Sequence, residues 1–181
     1  MSLENLRQHL GRIWIIVLFG IIYLVSQITI LVVLGPIEQA MFTLQLSGFS
    51  AADYVSVFST WEASGDMVRY RAHFILDDVH WVWYSVLSTA LLSRLFERCD
   101  IPSGRNWFLL LPVASGLLDW YENRLQHVFL SSNDLAMIVD PLPLYSTLAS
   151  DLKWLLVTIY VSTIIVLAVR LKLNSSRQTP A

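Results

Sequence analysis

The chain has 181 residues, 55% of them hydrophobic and only 14% charged, with a formal net charge of -2 and a mean hydropathy of +0.57. This composition fits an integral membrane protein better than an ordinary soluble domain. It excludes a basic nucleic-acid-binding surface. Cys99 is the only cysteine, which rules out an internal disulfide and a Cys-paired zinc site.

Residues 13 to 34, IWIIVLFGIIYLVSQITILVVL, carry no charge over 22 positions. At about 1.5 Å of rise per residue they cover the roughly 30 Å hydrocarbon core. The run is longer than a signal-peptide core and lacks a small-x-small cleavage site, so it reads as a retained span. Residues 35 to 72 are too long and too patterned for a bare loop. Ser50, with Asp53 three positions on, starts a helix, and Tyr54, Val55, Phe58 and Trp61 follow at helical spacing. A short interfacial helix lidding the bundle is expected there. Further spans are expected at 73 to 96, 106 to 130 and 153 to 171. Lys153 and Arg170, about 24 Å apart along a helix, should snorkel toward opposite faces. The fold class is all-α and polytopic, with four transmembrane helices in a bundle plus the interfacial helix between the first and second. Residues 1 to 172 form one domain, and 173 to 181 read as a disordered tail.

Cationic flanks orient the bundle. Arg7, Arg12, Arg94, Arg98, Arg105, Arg170, Lys172 and Arg177 are eight of the twelve Lys and Arg, and all fall on one side of this arrangement. The connection from 131 to 150 has two Asp and no Lys or Arg. Both termini are therefore expected to be cytoplasmic, in a plasma (inner) membrane.

The second span descends from the outer side and the third returns to it, so their polar residues share one depth. His73, Asp77, His80 and Tyr84 are spaced four, three and four apart, and Ser115, Asp119, Glu122 and Gln126 repeat the pattern. Asp78, Asn123 and His127 lie at the same height. Ser26 and Gln27 on the first span, and Lys153 with Trp154 at the mouth of the fourth, are at compatible depths. Leu, Phe and Val in the third span contribute roughly -3 to -6 kcal/mol to insertion, whereas Asp119, Glu122 and Arg124 would cost about +7 to +10 if ionised near the centre. That segment is tolerable only if its charges meet partners on other helices. A polar network that merely fixes helix register is the alternative. Asp77, Asp119 and Glu122 are the catalytic candidates. His73, Asp78, His80, Tyr84, Asn123, His127, Lys153 and Trp154 are candidates for binding and orienting.

Asp77 followed by Tyr84, then DWYEN at 119 to 123, then LKW at 152 to 154, resembles an uncharacterised family of small four-helix integral membrane proteins. That family has a D-x-x-F-P-x-x-Y pattern, a D-x-x-E-N motif in the third helix and a Lys-Trp pair opening the fourth. The likeness spans residues 50 to 160. Asp77, Tyr84, Asp119, Glu122, Asn123, Lys153 and Trp154 match, while His80 and Trp81 stand where the family has Phe and Pro. The resemblance implies the four-helix architecture and this choice of residues, not a reaction.

Three functions compete. Carboxylates in an apolar pocket can serve as general acid and base near neutral pH, and Trp can line a lipid or isoprenoid-like substrate. A membrane enzyme with Asp119 and Glu122 as the acid/base pair and Asp77 sharing the proton would follow. A metal site could use Asp77, His80 and His73 opposite Asp119 and Glu122, but di-iron bundles need two Glu-His pairs and only one such i, i+3 carboxylate-His pair occurs. No metal or cofactor is therefore expected. A non-catalytic binding or assembly subunit, or a proton-linked small transporter, is the third. Expected partners are membrane lipid, an apolar small molecule, and a second copy or another membrane protein.

Overall fold

The structure, a computed structural model, describes residues 3–131 and 135–177. Regular structure among these is helical: α1 (Leu3–Leu10), α2 (Ile13–Leu34), α3 (Glu38–Ser47), α4 (Ala51–Ser64), α5 (Met67–Arg98), α6 (Leu111–Leu130) and α7 (Leu142–Arg177), with short 3-10 segments between some of them. Two stretches, Ile13–Ser47 and Leu142–Asn174, are long and apolar enough to cross a membrane. Helix α2 coincides with the uncharged run. It stops where Gly35 adopts φ 51, a left-handed conformation that glycine tolerates.

The segment after α2 holds two helices rather than one. Helix α3 is short and would be marginal alone; it is held by packing on α7, a tertiary contact that local spacing does not reveal. Helix α4 starts as expected with a capping box, in which Asp53 N donates to Ser50 Oγ (3.3 Å) and Ser50 N donates to Asp53 Oδ2 (2.9 Å). Its Tyr54, Phe58 and Trp61 are buried. The Tyr54 ring lies 5.0 Å from that of Phe129, and Phe58 lies 5.3 Å from Tyr70. Gln126 Nε2 donates to Tyr54 Oη and to Ser146 Oγ, both at 2.8 Å, while Tyr70 Oη donates to Gln126 Oε1 at 2.8 Å. Helix α4 is thus docked onto α5, α6 and α7 by an aromatic face and a satisfied polar knot.

Helix α7 begins at Leu142, well before Lys153, and continues to Arg177. The residues expected to be a free tail are therefore helical as far as 177; 178–181, like 132–134 of the preceding connection, lie outside the described residues. Arg7, read as a flanking cation, is instead buried. Its Nη1 donates to Ile101 O (2.8 Å) and Asn106 Oδ1 (3.2 Å), and Asn106 Nδ2 donates to Glu4 Oε2 (2.7 Å), which clips α1 onto the connection ahead of α6.

Helix α2 packs along α5, α6 packs along α7, and α5 joins the two pairs. The crossing of α5 and α6 is close because Gly116 has no side chain. A Cβ there would sit 2.3 Å from Ser85 Oγ and 3.0 Å from Trp81 Cε3. Ser85 cannot swing aside freely, since its Oγ donates to Pro112 O at 2.8 Å. Gly116→Ala should incur about 1–3 kcal/mol of overpacking, partly offset by alanine's helix propensity of up to about 1 kcal/mol. A lowered thermal midpoint, partly recovered in Ser85→Ala/Gly116→Ala, is the expected result.

Candidate functional site

The polar stripes of α5 and α6 converge, and α7 supplies the cation between them. The early start of α7 puts Lys153 inside a helix that runs beside α6. There Lys153 Nζ donates to Asp119 Oδ1 at 2.8 Å and Glu122 Oε2 at 2.6 Å. Lys153 is buried, so it pairs inward and does not snorkel. Tyr84 Oη donates to Asp119 Oδ2 at 3.3 Å. Asn123 Nδ2 donates to Asp77 Oδ2 at 3.0 Å and to Asp77 O at 3.3 Å, and His73 Nε2 stands 4.0 Å from the same carboxylate oxygen.

Accessibility ranks the three carboxylates. The side chain of Asp77 is 18% exposed, that of Asp119 9%, and that of Glu122 is fully enclosed. Glu122 Oε1 is buried without a hydrogen-bond partner among the described residues.

Two expected members lie elsewhere. Asp78 follows Asp77 by one residue, about 100° round the helix, and cannot share its face. It instead accepts from His127 Nε2 (2.8 Å) and pairs with Arg124 Nη2 (3.1 Å) in a partly exposed cluster. Neither Asp78 nor His127 lines the cavity described next. His80 Nδ1 meets Ser26 Oγ at 2.8 Å, and its ring stacks on Tyr23 with centroids 5.2 Å apart, tying α2 to α5. His73 is buried, with Nδ1 against Tyr70 O. Trp154 is partly exposed and meets Phe42 edge-on at 5.4 Å.

Between α2 and α7 lies a cavity of about 810 Å³. Ile30, Leu31 and Leu34 of α2 form one wall, and Trp154, Val157, Val161 and Ile164 of α7 the other. Helix α5 is the floor, with His73, Asp77, His80, Tyr84 and Leu87, and α3 covers one end with Glu38, Met41 and Phe42. Asp119 and Lys153 reach the same space; Glu122 stands behind them. Sequence reasoning missed Glu38, Phe42, Tyr23 and Tyr160 as lining residues. The two tyrosines, polar-tipped rings in otherwise aliphatic runs, were the available signal.

No family model, curated protein or solved structure matches the chain.

Among the described residues no group of three or more His, Cys, Asp or Glu is arranged to hold a metal ion. His80, which a metal site would need beside Asp77, is turned to Ser26. What the geometry offers is an ionic pair, Asp119 with Lys153, held from behind by Glu122 through charge-assisted bonds. Beside it stands a separate, more accessible carboxylate, Asp77, oriented by Asn123. Pairing one partly accessible acid/base group with a fixed cation in a largely apolar cavity suits proton transfer at a polar head whose tail is apolar.

Proposed function

We propose that the chain is a membrane-embedded enzyme that acts on a lipid or isoprenoid-like amphiphile by acid/base chemistry. In this reading α2, α5, α6 and α7 cross the plasma (inner) membrane, both termini are cytoplasmic, and α3 and α4 lie at the opposite rim. Exposed Val17, Ile21, Val25 and Ile28 of α2 and Leu155, Ile165, Val166 and Val169 of α7 support contact with acyl chains. The observation that carries the proposal is the cavity itself: largely apolar on the two walls from α2 and α7, with Asp77 on its α5 floor and Asp119 and Lys153 reaching into the same space. Asp77 takes a proton from the bound head and returns it at a second position. Lys153 holds charge that develops on the head, and Glu122 and Asp119 position Lys153. Asp77, Tyr84, Asp119, Glu122, Asn123 and Lys153, six of the residues behind the resemblance to the four-helix family, belong to this hydrogen-bonded region, which supports membership.

Purified protein in nanodiscs, supplied with membrane lipids and polyprenols, should yield a product by mass spectrometry. Photoreactive lipid should label peptides from α2 and α7 that face the cavity. No product, together with labelling only on the outer surfaces, would overturn the reading. A non-catalytic lipid-binding subunit is the second reading, favoured by the full enclosure of Glu122 and Gln126 in internal networks. It predicts cavity labelling without product.

A further inference from the structure

The charge on the cavity surface narrows the ligand class, and this step rests on the reading above. Three carboxylates line the cavity, Asp77, Asp119 and Glu38, against one cation, Lys153. That cation is already shared between Asp119 and Glu122. Among the described residues the ion-pairing partner within 4.0 Å of Asp77 is His73, whose Nδ1 faces a backbone carbonyl. Lys153 reaches Asp77 only through its longer-range field, its ammonium being bonded to Asp119 and Glu122. A largely apolar cavity that holds more acidic than basic side chains favours a cation brought by the ligand. The lining also holds Tyr23, Tyr84 and Trp154, and the Lys153 ammonium already lies 5.7 Å from the Trp154 ring centroid, so aromatic rings here accommodate a cation. A phosphate head would meet the carboxylates and is disfavoured by the same fields.

We infer that the cavity between α2 and α7 binds a single-chain cationic amphiphile, with its protonated amine at Asp77 and its chain along Ile30, Leu31 and Val161. The cavity-lining positions of α7, 153 to 164, extend over about 16 Å of helix, long enough for a medium alkyl tail.

The test is a head-group series on the protein in nanodiscs of uncharged lipid: dodecylamine, dodecanol and dodecyl phosphate, with binding read by native mass spectrometry. Dodecylamine should bind roughly tenfold or more tightly than dodecanol, and dodecyl phosphate most weakly. Asp77→Asn should erase the preference for the amine while dodecanol binding persists. The charge-matched Asp151→Asn, at an exposed position outside the cavity, should keep it. Equal binding of amine and alcohol, or stronger binding of the phosphate, overturns the inference and leaves the lipid-site reading standing. An amine preference that survives Asp77→Asn overturns it as well. Binding of none of the three removes both.

Discussion

Lys153→Met should be among the most destabilising single substitutions in this protein. Methionine keeps most of the stem volume, so the loss is that of the ammonium, which bonds two carboxylates at 2.8 and 2.6 Å. Removing one partner of a buried ionic cluster typically costs about 3–5 kcal/mol, because the groups left behind are neither solvated nor paired. Here two carboxylates are stranded, one of them on fully buried Glu122. Adding Asp119→Asn and Glu122→Gln should restore much of the loss, since neutralising the whole cluster removes the stranded charge. Thermal unfolding in detergent measures both steps. A midpoint that does not move in Lys153→Met would show that the cluster does not hold α6 to α7.

Asp77→Asn should separate chemistry from folding. The amide is isosteric and can still meet Asn123, so the midpoint should move little. It cannot accept and return a proton, and loss of a general acid/base group typically lowers turnover by about 10²–10⁴-fold. The fall should appear in kcat with little change in KM for an uncharged substrate. Turnover retained within a few-fold would transfer the acid/base role to Asp119, which also lines the cavity. The ranking of the two follows from exposure: Asp77 is the more open and is not bound to Lys153.

Much of the arrangement was legible from spacing. The uncharged run gave α2 to the residue, and the Ser50/Asp53 cap with Tyr54, Phe58 and Trp61 gave α4 and the face it buries. The stripes on α5 and α6 brought Asp77, Asp119 and Glu122 into one neighbourhood, and Asn123, named for its height and its place in the DWYEN stretch, bonds to Asp77 there. Asp78 and His127 fall outside both stripes and pair with each other in a separate, partly exposed cluster, because residues at one height can face different ways. Lys153 was placed at a helix mouth because hydropathy marks where a segment turns apolar, not where its hydrogen bonds begin. The polar turns from Leu142 onward are helical because they pack under α4, as Ser146 beneath Tyr54 and Gln126 illustrates. Helix α3 and the contributions of Glu38 and Phe42 depend on contact with α7 across the cleft, which no local pattern encodes.

The break at Gly35 turns the chain from the wall of the cleft directly into its cover. One continuous piece of backbone, α2 and then α3, therefore bounds the chamber on two sides, while Phe42 rests on Trp154 of the facing wall. The two sides share one connection, so a side chain introduced at Gly35, whose φ of 51 disfavours any residue but glycine, would bear on wall and cover at once.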